Sequence, residues 1–214
     1  GLIAAQITPA RARSKMRQLN EQFERNLKQL ERLAPALGLL EPLRAVSAIW
    51  SRYQKVLLAD PVELAQAAGV LALSEEILTA TDALTRCAQD LVGGDGARYV
   101  NMAGRNRALS QRIGKFFLFR DWAGCYEQIM PHSSASCVEF ESNLVALRQS
   151  GTQLPELLAQ LTEVSAQWQR FVRSLVPELA QPNKSKHVQS VLAEGERLLR
   201  HVDTTVKLYE RLSK

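Results

Sequence analysis

Cysteine, histidine and aromatic residues are all scarce in this 214-residue chain, which has three Cys, three His and 6% aromatics. The cysteines are Cys87, Cys125 and Cys137, with no Cys-x-x-Cys pair, and His132, His187 and His201 stand apart from them. That spacing argues against a zinc site and leaves no metal-ligand set to name. Cys125 and Cys137 flank an expected turn at Pro131–Ser134. They could be joined in an oxidising compartment, or all three thiols could stay free. Long apolar runs are missing too: none reaches the roughly 18 residues that a membrane-crossing helix needs. No charged–apolar–small leader opens the chain, and the first residue is Gly rather than Met, so a processed or excised piece of something longer is expected. There is no alternating strand pattern and no Asn-Gly hairpin signal. No nucleophile elbow, His-Glu-x-x-His helix, phosphate-cradling glycine loop or Glu-x-x-His pair occurs, so the chain reads as a non-enzyme with no cofactor. The net charge of +5 is mild and spread along the chain. A nucleic-acid binder gathers its basic residues on one stripe, so no nucleic-acid partner is expected. The charge hints at an anionic ligand, or simply at a solvated surface.

What is present is helix-forming: 46% apolar and 23% charged residues, rich in Leu, Ala, Gln, Glu and Arg. Breakers set off about seven helices. Thr8-Pro9 starts the first, which carries Met16, Leu19, Phe23, Leu27 and Leu30 at helical spacing to about Leu33. Pro35 and Gly38 end it. Pro42 opens a second helix to about Leu58, and Asp60-Pro61 opens a third to about Val92 with a kink near Gly69. Gly93-Gly94-Asp95-Gly96 is the strongest break. Further helices are expected over about 97–122, 135–149, 155–175 and 185–212. The fold class is all-α.

The most informative feature is an internal repeat. Phe23-Glu24-Arg25-Asn26-Leu27 matches Phe140-Glu141-Ser142-Asn143-Leu144, an offset of 117 (140 − 23). Trp50-Ser51-Arg52-Tyr53 matches Trp168-Gln169-Arg170-Phe171 at 118 (168 − 50). Ile77, Leu78 and Asp82 match Leu198, Leu199 and Asp203 at 121 (198 − 77). Two tandem up-down helical bundle modules follow, 1–93 and 97–214. The second begins with a helix whose first-copy counterpart would fall upstream of Gly1, so the first module lacks its own motif helix in this chain. A longer chain is expected to supply it, since such bundles need all four helices to close a core.

That helix reads Tyr99-Val100-Asn101-Met102-Ala103-Gly104-Arg105-Asn106-Arg107-Ala108-Leu109-Ser110-Gln111-Arg112-Ile113-Gly114-Lys115-Phe116-Phe117. At about 100° per residue, Tyr99, Met102, Leu109, Ile113, Phe116 and Phe117 form a core face. Asn101, Arg105, Arg112 and Lys115 form a polar face. Ala103, Arg107, Ser110 and Gly114, with Gly104 at the edge, form a third stripe. Two helical glycines cost about 1 kcal/mol each relative to alanine, and a close helix–helix contact would justify them. An arginine in such a seam would require a carboxylate from a neighbouring helix or a small planar anion.

The segment Val100–Ile113 resembles the signature of PilJ-type sensor domains, the N-terminal sensor modules of type IV pilus chemotaxis transducers, and is similar to the ligand-binding segment of nitrate/nitrite sensor kinases. The Phe-Glu-x-Asn-Leu and Trp-x-Arg segments fit the tandem form. The resemblance implies a periplasmic sensing module for signal transduction or chemotaxis, with a small oxyanion such as nitrate or nitrite held where two motif helices meet. It assigns ligand contact to Arg107 and Gly104, and scaffold roles to Asn101, Ser110 and Arg112. Ala108 departs from the larger Met usual in pilus-type members. With one motif helix in the chain, a homodimer through Ala103, Gly104, Arg107, Ser110 and Gly114 would supply the second arginine. The alternative is a protein-interaction module, with a receptor, kinase or pilus partner and no small ligand.

Overall fold

The computed structural model describes residues 9–58, 66–120, 126–150, 154–176 and 184–213, and every regular element among them is a helix. They are α1 (Pro9–Leu37), α2 (Leu40–Leu57), α3 (Ala67–Val92), α4 (Gly94–Phe119), α5 (Tyr126–Gln149), α6 (Pro155–Leu175) and α7 (Lys184–Leu212). The chain divides into two compact units at Gly93/Gly94.

The second unit is a four-helix bundle. Its seam residues recur at alternating spacings of three and four, as Leu157, Leu161, Val164, Trp168 and Phe171 do on α6, all essentially without exposure. That period keeps one stripe facing the bundle axis. Polar pairs fix the register. From Arg105–Glu139 through Asn106–Asn143 to Arg112–Ser136, α4 runs antiparallel to α5. Tyr99–Tyr209, Arg107–Asp203 and Phe117–His187 set α4 antiparallel to α7. Gln160–His201 and Gln167–Glu194 do the same for α6 and α7. The order is up-down-up-down, the topology that short connections favour.

The first unit has a smaller core, in which Leu27, Ala34, Leu39, Leu43, Val46, Trp50 and Leu84 are buried together. Each unit contains the same aromatic clasp. In the first, Phe23 stacks on Trp50 at 4.0 Å and the Trp50 indole N–H donates to Glu24 Oε1 at 2.5 Å. In the second, Phe140 stacks on Trp168 at 4.1 Å and the indole donates to Glu141 Oε1 at 2.9 Å. Tyr53 and Phe171 each lie 6.1 Å from their tryptophan. The Phe, Glu and Trp positions of the sequence match therefore have the same geometry in both units, whereas Asp82 pairs with Arg86 and Asp203 with Arg107.

Three expected breaks fall elsewhere. α1 continues through Pro35 to Leu37 and ends at Gly38, whose φ of 68° lets the Leu39 N–H reach the Ala34 carbonyl at 3.0 Å. This six-residue closure packs Leu39 against Ala34, and both are buried. Helix α5 runs through Pro131–Ser134 rather than turning there. Pro131 removes one backbone donor, yet Ile129 ahead of it and Ser136 after it are both buried, so packing on each side holds the helix together. The Gly93–Gly96 break shrinks to Gly93, with α4 starting at Gly94. The Thr8 and Asp60-Pro61 starts lie outside the described residues.

Candidate functional site

Helix α4 is the element that both α5 and α7 grip, and the two flanks differ. On the α5 side, Arg105 makes a two-pronged ion pair with Glu139, Nε–Oε1 at 2.6 Å and Nη2–Oε2 at 3.0 Å. Such a fork holds angle as well as distance. Arg112 donates to Ser136 Oγ at 3.1 Å and lies over the Phe116 ring at 5.2 Å. In the middle of the core, Asn106 is only 2% exposed. Its amide donates to the Phe140 carbonyl at 3.1 Å, and its Oδ1 accepts from the Asn143 amide at 3.0 Å. A buried amide needs such partners, because leaving it unpaired costs about 1–3 kcal/mol.

On the α7 side stands Arg107, and here the expectation from sequence needs correction. Its side chain is 53% exposed, and Nη1 lies 3.3 Å from Asp203 Oδ1. It is already paired within its own bundle rather than aimed into a tight seam. The third stripe divides: Ala103 and Ser110 turn into the core without exposure, while Arg107 turns out. Gly104 and Gly114 meet nothing within 4 Å of where a Cβ would stand. Among the described residues, no close backbone approach explains those two glycines. Ser110 Oγ donates back to the Arg107 carbonyl at 2.8 Å, a local bond that ties it to its own helix.

Asn101 is half-buried at the start of the same helix, on the flank it shares with Arg105 and Arg112. The expected core face does gather: Leu109, Ile113, Phe116 and Phe117 are buried, and Tyr99 and Met102 pack against them. Sequence reading missed Asn106, although it occupies the core period, three residues from both Ala103 and Leu109. It also missed Glu139 and Asp203 as the carboxylates that meet Arg105 and Arg107.

Cys137 is a free thiol, half-buried, with its pKa pushed up by burial and by Glu141. Cys125 lies outside the described residues. Among the described residues, no cluster of His, Cys, Asp and Glu could hold a metal ion. No described helix is long and apolar enough to cross a membrane.

No curated protein and no solved structure matches the chain. Residues 94–193 match the family model PilJ, described as the N-terminal part of type IV pili methyl-accepting chemotaxis transducers. The matched stretch begins at the first residue of α4 and reaches into α7, so it covers most of the second unit. The match supports a PilJ-type sensor domain there, from a transducer family rather than a catalytic one, and with it a chemoreceptor or type IV pilus signalling module.

Proposed function

We propose that the chain is a periplasmic sensory module of a chemotaxis or type IV pilus system, built as a tandem of two related bundles, 1–93 and 97–214. It works by helix docking with a receptor or kinase partner. The observation that carries this reading is the family match, which falls on the bundle organised by α4. The geometry gives it a mechanism. Helix α4 is held to α5 and α7 by discrete polar pairs on its two flanks, so a shift along its axis must exchange one set of partners for another. Packed interfaces of that kind have separate states rather than a continuum. Removing residues 94–213 in the source cell should abolish a pilus-dependent motility or taxis response. Unchanged motility and taxis would overturn the reading.

A second reading keeps a small oxyanion, nitrate or nitrite, between Arg107 residues of two copies. It is favoured by the half-exposed guanidinium and by the open space over Gly104, where another helix can approach. Asp203 then competes with the anion for Arg107. In calorimetry Asp203→Asn should bind nitrate more tightly than the parent, and Arg107→Ala should not bind it. No heat from nitrate with either the parent or Asp203→Asn removes this reading and leaves the docking one.

A further inference from the structure

Helix α1 carries open apolar side chains at register positions whose counterparts on α5 are covered, exposed apolar residues of α5 such as Val138 and Val145 lying at other positions. Leu19, Leu30 and Leu33 are 51%, 40% and 56% exposed, and Asn26 between them is exposed as well. At about 100° per residue they lie on one strip, beside the line of half-buried Phe23 and buried Leu27 and Ala34. The repeat offset of 117 maps Leu19, Phe23, Asn26 and Leu30 onto Ser136, Phe140, Asn143 and Leu147. In the second unit that strip is closed. Ser136, Phe140 and Leu147 have no more than 1% exposure, and Asn143 is half-buried. Helix α4 does much of the closing, through Arg112 on Ser136 and Asn106 on both Phe140 and Asn143. Tyr209 of α7 covers the Leu147 end. The position matching Tyr209 in α3 is Ala88 (209 − 121), which leaves still more room in the first unit.

We propose that the strip Leu19–Asn26–Leu30 is the seat of a helix of the α4 kind, joined ahead of α1, which completes the first unit as a four-helix bundle. The occupant is specified by what it must meet. It carries an amide opposite Asn26, as Asn106 stands opposite Asn143. It carries an apolar side chain opposite Leu19, where α4 presents Arg112 to Ser136. The inference rests on the tandem reading above.

The test joins a copy of residues 94–117, bearing Arg112→Leu, directly to Gly1 of the full chain. Its asparagine then stands 37 residues before Asn26, as Asn106 stands before Asn143 (143 − 106). Amide hydrogen exchange along Leu19–Leu30 should slow at least about tenfold, the equivalent of about 1.4 kcal/mol of added protection. Leu19→Lys together with Leu30→Lys in the joined protein should cancel the slowing. Both leucines are exposed in the chain as it stands, so the same pair of changes should leave the unjoined chain folded. Unchanged exchange in the joined protein overturns the proposal. So does a 214-residue chain that already protects this strip by self-association, seen as a dimer in sedimentation that Leu19→Lys and Leu30→Lys dissociate. Either result leaves the motility experiment on residues 94–213 untouched, so the two readings fail separately.

Discussion

The buried amide pair between α4 and α5 offers the sharpest check on the packing of the second unit. Asn106→Ala removes two hydrogen bonds from a side chain that is 2% exposed. At roughly 1 kcal/mol per bond, with a further loss of packing, the cost should be about 2–3 kcal/mol. Asn143→Ala removes one bond and leaves Asn106 Oδ1 buried without its donor, for about 1–2 kcal/mol. The two changes share one bond, so the double variant should be less destabilised than the sum by about 1 kcal/mol. The unit spans about 120 residues, Gly94–Lys214. With about 2.1 cal/mol/K of unfolding entropy per residue, a 2 kcal/mol loss lowers Tm by about 8 °C. Urea titrations followed by circular dichroism on the four proteins of the cycle give the coupling directly. Additivity within about 0.5 kcal/mol would mean that the two amides do not meet, and the α4–α5 register described above would be wrong.

Two further outcomes follow from the same geometry. Gly104→Ala should stabilise the chain by up to about 1 kcal/mol, since the helix gains propensity and the new methyl group meets only open space. Gly195→Ala should destabilise it in the same urea titration, because its Cβ would stand 3.2 Å from the Phe171 ring, itself fully buried; an equal response at the two sites refutes the contrast. Burial raises the pKa of Tyr53, Cys137 and Tyr209, with Glu141 adding to the shift at Cys137, and with Tyr99 adding and the Ser150 hydrogen bond opposing at Tyr209. Folding therefore holds these protons while the unfolded chain releases them. The stability linked to them is fully present below the ordinary thiol and phenol values and is lost as pH rises through the higher folded ones. Stability that stays flat on passing through that alkaline range would contradict the burial of these groups.

Periodicity made the helices and their core faces legible in the sequence, because an amphipathic stripe is a property of spacing alone. The core face of α4, with Leu109, Ile113, Phe116 and Phe117, was read in this way and is buried. Breakers were less legible, since a proline's cost is local and packing can offset it. Pro131 costs the helix about 3 kcal/mol through its missing donor and the clash of its ring with the preceding turn, while Ile129, Phe140, Leu144 and Leu147 are buried along α5 and each returns about 1.5–3 kcal/mol, so α5 runs through. The Phe–Glu and Trp segments stood out because they use residue types rare in this chain, and each unit does stack its phenylalanine on its tryptophan.

The site was the hardest part to read, for a geometric reason. A helical wheel gives the direction of a side chain but not the distance to the next helix. Arg107 lies on the flank of the core stripe, where a long stem carries the charge outward to Asp203. Asn106 lies at its centre, where a short amide stays inside and must bond to whatever α5 presents. Reading by residue class picked the guanidinium as the group that needed a partner. Reading by angle from the core centre would have picked the amide, because a polar group there has no route to water. The same rule applied to α1 turns attention from its charges to Asn26 and its neighbouring leucines. That strip still faces solvent, although its counterpart in the second unit lies under a helix.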